Sequence, residues 1–396
     1  MRLAIVRQRY TPYGGAERFV EGALEALLER GIAISLYTRA WPQMRLQLIE
    51  PVICNPFYIG RLWRDWSFAR RVCREVARKP PELVQSHERL LCCDVYRAGD
   101  GVHRAFLDER LRGASRFRRW LTESAPYHRY VTGIERRLFA SPVLRAVICN
   151  SKMVRAEIHE RFGVAEQRLP VIYNGVDSDA FSPELRKHRE AVRTALRIPD
   201  EATVFLLVGS GYARKGVARA VRALAQLPDD CHLIVVGRDK SLGAYERLAR
   251  RLGLRNRVAL LGPQDDTRPF YGAADAFVLP TLYDPCPNAA LEAMACGLPV
   301  VTSTKCGAAE LVIEHDAGFV CPAWDVDGLA AHMRWLIDPA AREARGARAR
   351  EAVLPLTPAA MTLQLALLYR DLLAAAYAGN SAASAGKSAG EGDVRA

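Results

Sequence analysis

The stretch Asp284-Pro-Cys-Pro-Asn-Ala-Ala-Leu-Glu292-Ala-Met-Ala-Cys-Gly297-Leu-Pro299 decides how this chain folds. The apolar run that ends at Pro280 predicts a strand, and the residues around Glu292 predict a helix that stops at Gly297. One acid, Asp284, therefore follows a strand end, and the second acid lies in the next helix. In an open α/β sheet this crevice is where ligands bind.

The chemistry around these two acids indicates the kind of ligand. The amides at the start of a helix attract phosphate, and carboxylates accept hydrogen bonds from sugar hydroxyls. The stretch therefore predicts a ligand that carries both phosphate and hydroxyl groups, such as a nucleotide sugar.

Working outward, alternating strands and helices predict an α/β fold of two Rossmann-like domains with parallel sheets that face each other across a cleft. We place the first, acceptor-side domain at residues 1–180 and the second, nucleotide-binding domain at 181–357. A last helix at 358–378 is expected to pack back on the first domain. The Gly/Ala/Ser-rich residues 379–396 predict a disordered tail.

Two glycine-containing loops follow the first predicted strand of each domain. Gly14 and Gly15 would let a backbone approach a phosphate, although they could equally form a tight turn without chemical importance. The second loop, Gly209–Gly216, ends with the adjacent cations Arg214 and Lys215 at a helix start. Such cations oppose the helix dipole unless a diphosphate offsets them, so we expect them to bind one, the alternative being an exposed basic turn.

Three polar residues in the first domain follow strand-like runs. His87, Asp100 and His103 are expected on the acceptor side of the cleft because each lies near a predicted strand end. A lone histidine is often structural, and Asp100 between two glycines could be a turn residue.

No metal site is expected. Asp325 and Asp327 match a D-x-D motif, but they precede a helical run and are better interpreted as N-capping acids. The ten cysteines show neither a C-x-x-C pair nor zinc-ligand spacing, so we predict reduced, buried thiols.

The formal net charge of +12 implies an anionic partner. Residues 103–137 contain nine arginines and four acids with interleaved aromatics, and residues 61–79 are similar, which suits an anionic membrane surface. Both could instead be ordinary amphipathic helices. Neither a signal peptide nor a transmembrane helix is expected, so we predict a cytoplasmic protein held peripherally at the inner face of the membrane.

Taken together, these motifs resemble the retaining glycosyltransferases of family 4, which have the two-domain GT-B fold, and the resemblance covers residues 1–378. Four segments look most similar to the lipopolysaccharide core glucosyltransferases that add glucose to inner-core heptose: Tyr10–Gly15, Asp94–Asp100, Ala213–Val217 and Val235–Lys240.

The resemblance implies a role for each motif. Glu292 would bind the ribose, and Arg214 and Lys215 the diphosphate, with Gly14-Gly15 as the phosphate loop of the first domain. Asp100 would face the reacting sugar. The donor sugar would contact Asp284 together with the segment that follows it, namely Cys286, Pro287, Asn288 and Ala289.

The implied reaction moves a hexose, from a nucleotide diphosphate sugar such as UDP-glucose, to an anionic glycolipid without metal or cofactor. Because the family's first acid is usually Glu, the shorter Asp284 leaves the donor open. Retention would come from front-face attack, since no side chain is placed to act as a covalent nucleophile. The alternatives are a nucleic-acid-binding α/β protein, which the acids in the cleft disfavour, and a GT-B epimerase or phosphorylase.

Overall fold

The computed structural model describes residues 2–8, 32–40 and 49–390, with the backbone alone for 376–390. Its first sheet contains Arg2–Val6 (β1), Ala33–Thr38 (β2), Ile49–Ile53 (β3), Leu83–Ser86 (β4), Val95–Arg97 (β5) and Ala146–Ile148 (β6). Its second sheet contains Thr203–Val208 (β7), Cys231–Val236 (β8), Val258–Gly262 (β9), Ala276–Leu279 (β10), Val300–Ser303 (β11) and Gly318–Cys321 (β12).

The two sheets repeat one topology. Their strand orders are β3-β2-β1-β4-β5-β6 and β12-β11-β10-β7-β8-β9, and the paired strands are parallel. Each sheet therefore reverses its winding between its first and fourth strands, which is where a doubly wound sheet binds ligands. This confirms the predicted fold of two Rossmann-like parallel sheets.

The helices connect these strands. Those among the strands of the first sheet are Gly60–Arg78 (α1), His103–Arg110 (α2), Arg116–Ser124 (α3), Pro126–Phe139 (α4) and Lys152–Phe162 (α5). The remaining helices are Arg189–Leu196 (α6), Tyr212–Lys215 (α7), Val217–Leu224 (α8), Leu242–Arg251 (α9), Arg268–Ala273 (α10), Asn288–Ala295 (α11), Ala309–Glu314 (α12), Val326–Trp335 (α13), Pro339–Val353 (α14) and Pro358–Gly390 (α15).

The first sheet is covered on both faces because its strands alternate. Leu3 and Ile5 point to one face, where α15 packs with Met361, Leu365 and Tyr369. Ala4 and Val6 point to the other face, with the core that includes Phe68, Val72 and Leu138. A single core surrounds the second sheet.

The last helix differs from the sequence prediction at its far end. It continues to Gly390, so part of the predicted disordered tail is helical, and residues 391–396 lie outside the described part of the chain. By length and composition alone, the stretch Pro339–Ala375 could cross a membrane, and 33% of its most apolar window is buried. Since Met361 and Leu365 pack on the first sheet, this apolar character serves the core.

The prediction of ten reduced thiols is wrong at one pair. Cys73 of α1 and Cys92, just before β5, form a disulfide, with Cα atoms 5.7 Å apart. Helix α1 and the turn between β4 and β5 bring the two together, which cysteine spacing alone does not reveal. The other eight cysteines, all within the described residues, are buried thiols: Cys54, Cys93, Cys149, Cys231, Cys286, Cys296, Cys306 and Cys321.

Candidate active site

The site is built where β7 and β10 lie side by side in the second sheet. The loop after β7 leads through α7 to Gly216, and the chain after β10 continues through Pro280 to Asp284. A Cβ at Gly216 would lie only 2.1 Å from the Pro280 carbonyl oxygen, and its φ is +82°. Only glycine therefore allows the start of α8 to pack against the end of β10.

Lys215 and Arg214 both reach Asp284. Lys215 Nζ lies 2.6 Å from Asp284 Oδ2, and Arg214 Nη1 lies 2.8 Å from the same oxygen. The Lys215 and Asp284 side chains are 10% and 9% exposed, whereas that of Arg214 is 40% exposed. Two cations thus share one carboxylate, which leaves a local excess of positive charge.

The backbone fixes this arrangement. The Arg214 carbonyl oxygen accepts hydrogen bonds from Leu282 N at 2.8 Å and Thr281 Oγ1 at 3.1 Å. Both cations lie in the one-turn helix α7, directly before α8, at the loop–helix junction. Gly216 separates the two helices.

The carboxylate of Asp284 is held in its charged form. Burial alone would raise its pKa, but the adjacent Lys215 and Arg214 outweigh burial and bring the pKa below its ordinary value. Asp284 Oδ2 already accepts hydrogen bonds from both cations. These cations therefore compete with the predicted contact between Asp284 and the donor sugar.

Glu292 lies in α11, one turn after Asn288. Tyr271 OH donates to Glu292 Oε2 at 2.7 Å, so a buried phenol orients this carboxylate. The residue before α11 is Pro287, whose side chain cannot accept hydrogen bonds from the first-turn amides. This helix start therefore lacks a side-chain cap. Uncapped first-turn amides of this kind are the groups that bind anions at helix starts.

The residues between Asp284 and Glu292 differ in how far they are buried. Cys286 and Pro287 are buried, and burial raises the pKa of the Cys286 thiol, which excludes an easily formed thiolate. Asn288 and Ala289 are half-buried. Asn174, which the sequence analysis missed, donates to Asn288 Oδ1 at 2.7 Å and to the Cys286 carbonyl at 3.2 Å.

Of the residues predicted to lie on the acceptor side, Asp100 is 74% exposed, with Arg89 Nη1 3.9 Å from its Oδ2. His103 begins α2, and its Nε2 lies 2.9 Å from Nδ1 of His128, a residue of α4 that sequence reasoning missed. Burial, helped by Arg89 and His128, lowers the pKa of His103 to about 3.

His87 lies apart from this pair. Its Nε2 is 3.4 Å from Gln85 Nε2 within the first sheet, and burial with Arg7 and Arg97 lowers its pKa well below the ordinary value. The imidazole is therefore neutral. The other predicted phosphate loop, Gly14 and Gly15, lies outside the described residues.

The described residues contain no group of three or more His, Cys, Asp or Glu side chains suited to hold a metal ion. Asp325 accepts a hydrogen bond from Gly328 N at 2.8 Å, which confirms the interpretation of this acid as a helix cap.

Comparison with known protein families identifies the chain. Residues 13–180 match the model "Glycosyltransferase Family 4", and residues 188–352 match "Glycosyl transferases group 1". The chain is a glycosyltransferase. The two matches meet near the predicted domain boundary, and the β7–β10 site lies within the second of them.

Relatives of this glycosyltransferase include the lipopolysaccharide glucosyltransferase WaaG of Escherichia coli K12, which is 26% identical over 81% of this chain and 85% of the relative. A WaaG crystal structure has 24% identity, a TM-score of 0.80 and coverage of 92% and 98% of the two chains. Anabaena HepE, solved with UDP and glucose, has 22% identity and a TM-score of 0.70 over 94% and 100%. These structures show that the glycosyltransferase has the GT-B fold.

Proposed function

We propose that this glycosyltransferase moves a hexose from a UDP-sugar to a membrane-associated glycolipid such as the lipopolysaccharide core, with retention of configuration. The observation that carries the donor half of the proposal is the convergence of Lys215 and Arg214 on Asp284 at the switch point of the second sheet. The relative WaaG is a lipopolysaccharide glucosyltransferase, and HepE has been solved in complex with UDP-glucose, which supports the choice of donor and acceptor.

The donor would bind along the line from α7 to α11. Its diphosphate would meet Lys215 and Arg214, and its ribose hydroxyls would donate to Glu292, which Tyr271 already orients. Asp284 would keep both cations in place before the donor arrives. Its second carboxylate oxygen, Oδ1, would be the atom that meets a hydroxyl of the hexose.

The departing UDP is the group that needs stabilisation. Lys215, being nearly buried, acts in a low-dielectric environment where a charge interacts more strongly than in water. Retention would follow from front-face attack, in which a diphosphate oxygen accepts the proton of the acceptor hydroxyl. Metal independence is part of this proposal, because the two cations would take the role that a divalent ion has in other transferases.

The acceptor half of the proposal uses the first domain. Asp100 and His103 would line the acceptor side, and the same α2–α4 region carries the basic, aromatic surface. Within Arg116–Ser124 no side chain is buried, and Phe117 and Trp120 are 70% and 62% exposed between arginines. Such a helix suits an anionic membrane surface at the cytoplasmic face, where a glycolipid acceptor would lie.

A second exposed aromatic group supports the same orientation. Trp63 and Trp66 of α1 are exposed, and Arg61 lies 4.9 Å from the ring centre of Tyr127 at the start of α4. Since α4 contacts both α1 and α3, the two aromatic groups lie on helices that pack against the same helix.

A panel experiment tests the proposal. UDP-, GDP- and ADP-sugars are compared for protection against thermal unfolding, since a ligand that binds the folded state raises the Tm. Radiolabelled UDP-glucose is then incubated alone, with inorganic phosphate, and with lipopolysaccharide truncated to its heptose core. We expect a UDP-sugar to protect best and label to enter the lipid. Epimerised donor or sugar phosphate without labelled lipid would instead support an epimerase or phosphorylase.

A further inference from the structure

Tyr283 belongs to the second domain by sequence but to the first domain by packing. It directly precedes Asp284, yet its side chain is 2% exposed and lies in the core that covers one face of the first sheet. Val102, from the loop that carries Asp100, belongs to the same core. One residue therefore joins the donor-side loop to the acceptor-side loop.

The phenol of Tyr283 bonds to two segments of the first domain. Its oxygen accepts a hydrogen bond from Val102 N at 2.8 Å and donates one to Glu157 Oε2 of α5 at 2.8 Å. Lys305 Nζ, from the second domain, lies 2.8 Å from the other Glu157 oxygen. Burial, followed by the Glu157 charge, raises the pKa of Tyr283 well above its ordinary value, so the phenol keeps its proton.

The acceptor-side loop is shaped to fit this phenol. Gly101 has a φ of +66°, and a Cβ there would lie 2.2 Å from Tyr283 Oη and 2.8 Å from Pro285 Cγ. Any side chain at this position would separate Asp100 from the Asp284 loop. The close approach of the two loops therefore depends on both the glycine and the tyrosine.

Helix α5, which carries Glu157, is itself bonded to the second domain. Glu310 of the second domain accepts hydrogen bonds from Lys152 N at 2.8 Å and Met153 N at 3.1 Å, which caps the first turn of α5. A turn and a half later, the same helix presents Glu157 to Tyr283. Helix α5 is thus attached to the second domain at two points, and it holds the phenol in one orientation.

We propose that Tyr283 is a positioning residue, which fixes the Asp100 loop against the Asp284 loop so that the acceptor hydroxyl meets the bound donor in one geometry. This inference rests on the proposed function, because it assigns the two loops to the two substrates. Its physical basis is that a displacement of about 1 Å between reacting groups costs on the order of a hundredfold in rate. Tyr283 itself touches neither substrate.

The test is Tyr283→Phe, which keeps the ring in the core and removes the hydroxyl that Val102 and Glu157 share. With UDP-[14C]glucose and heptose-terminated core lipopolysaccharide, labelled lipid and free glucose are measured together. We expect transfer to fall about 10- to 100-fold while hydrolysis by water stays within about threefold, because only transfer needs the acceptor loop in register. The donor KM is expected to change little.

Tyr369→Phe is the matched control. Tyr369 is also a fully buried tyrosine whose hydroxyl donates to one side chain, Gln85, but it lies in α15 on the opposite face of the first sheet. Both variants lose a buried hydrogen bond and should lower the Tm, whereas only Tyr283→Phe should lower the ratio of transfer to hydrolysis. An unchanged ratio in Tyr283→Phe would overturn the proposal.

Glu157 offers a second series that leaves Tyr283 in place. The side chain in Glu157→Gln can still accept a hydrogen bond from the phenol, whereas that in Glu157→Ala cannot. The ratio of transfer to hydrolysis should therefore be nearly normal in Glu157→Gln and reduced in Glu157→Ala.

Small-angle scattering, which needs no acceptor, should show a larger radius of gyration for Glu157→Ala and Tyr283→Phe than for wild type. Equal scattering for wild type and both variants would refute the interdomain attachment. A wild-type protein that neither transfers nor hydrolyses the sugar would instead refute the proposed function.

Discussion

Lys215 Nζ lies 2.6 Å from Asp284 Oδ2, and both side chains are nearly excluded from water. Lys215 follows the first strand of the second sheet and Asp284 the fourth, so the pair spans the point where the winding of the sheet reverses. With Arg214 on the same oxygen, the carboxylate serves as a counter-ion that a diphosphate could replace.

Asp284→Asn should destabilise the empty enzyme and increase its response to UDP. Removing one partner of a buried ion pair costs about 3–5 kcal/mol, because the other charge stays buried without compensation. Bound UDP would supply the missing negative charge, so its effect on the Tm should be larger in the variant than in wild type. The measurement is thermal unfolding with and without UDP.

A buried pair elsewhere controls for the loss of an ion pair as such. Arg193 Nη2 lies 2.7 Å from Asp275 Oδ2 in the core of the second domain. Asp275→Asn should also lower the Tm, but UDP should raise it no more than in wild type. An equal response to UDP in both variants would contradict the counter-ion role of Asp284.

Glu292→Gln should weaken nucleotide binding by a larger factor than it lowers kcat. The carboxylate is proposed to accept from ribose hydroxyls, and a hydrogen bond to a charged group contributes about 1.5–3 kcal/mol, or at least tenfold in affinity. Calorimetric titration with UDP measures this. Tyr271→Phe, which removes the 2.7 Å bond that orients Glu292 together with a 3.3 Å bond to the Ala289 carbonyl, should have a smaller effect. Unchanged UDP affinity in Glu292→Gln would exclude the ribose role.

His103 should make stability depend on pH in the mildly acidic range. Its pKa is about 3 in the folded state, against 6.5 for an ordinary histidine. Between these values the unfolded chain takes up a proton that the folded protein does not, so the free energy of unfolding falls as the pH falls. His103→Gln should therefore flatten the decline between about pH 7 and 5.

Urea titrations at several pH values measure this dependence. The exposed His315 supplies the control, because His315→Gln should leave the decline as steep as in wild type. A slope in His103→Gln equal to that of wild type would show that His103 is not the group responsible.

The exposed aromatics of α3 should matter for binding to anionic lipid. Phe117→Ala combined with Trp120→Ala removes two of the largest exposed apolar side chains between the arginines. Co-sedimentation with vesicles containing phosphatidylglycerol should fall at least tenfold, and neutral vesicles should bind weakly throughout. Trp335→Ala removes a tryptophan of similar exposure, 61%, on α13 of the second domain, and should have no effect. Equal losses in both variants would contradict the proposed membrane face.

Much of the fold could be predicted because its strands are short, apolar and separated by clear turns. The strands of the second sheet other than β12, and the helix around Glu292, lie where the sequence placed them. β3, Ile49–Ile53, and β12, Gly318–Cys321, were missed, since β3 has an acid and a proline at its exposed positions and β12 is short. The apolar residues Val171 and Ile172 would favour a further strand, but this segment forms only a bridge between Cys149 and Val171.

The grouping of the proposed donor-side residues was easier to predict than that of the proposed acceptor-side residues, for a physical reason. Arg214, Lys215, Asp284 and Glu292 lie in two loop-and-helix segments after neighbouring strands, so topology alone brings them together. His128 and Tyr283 reach the acceptor side through helix packing and contact between domains. Distances of that kind depend on tertiary structure, and no spacing along the chain encodes them.

The most direct test of the central claim compares binding and turnover in Lys215→Met. If Lys215 stabilises the departing diphosphate, kcat should fall about 10²- to 10³-fold while the Kd for UDP-glucose changes less than about tenfold. Lys215→Arg, which keeps the positive charge, should retain more of the turnover. A loss of affinity as large as the loss of kcat, or no loss of kcat, would contradict the account.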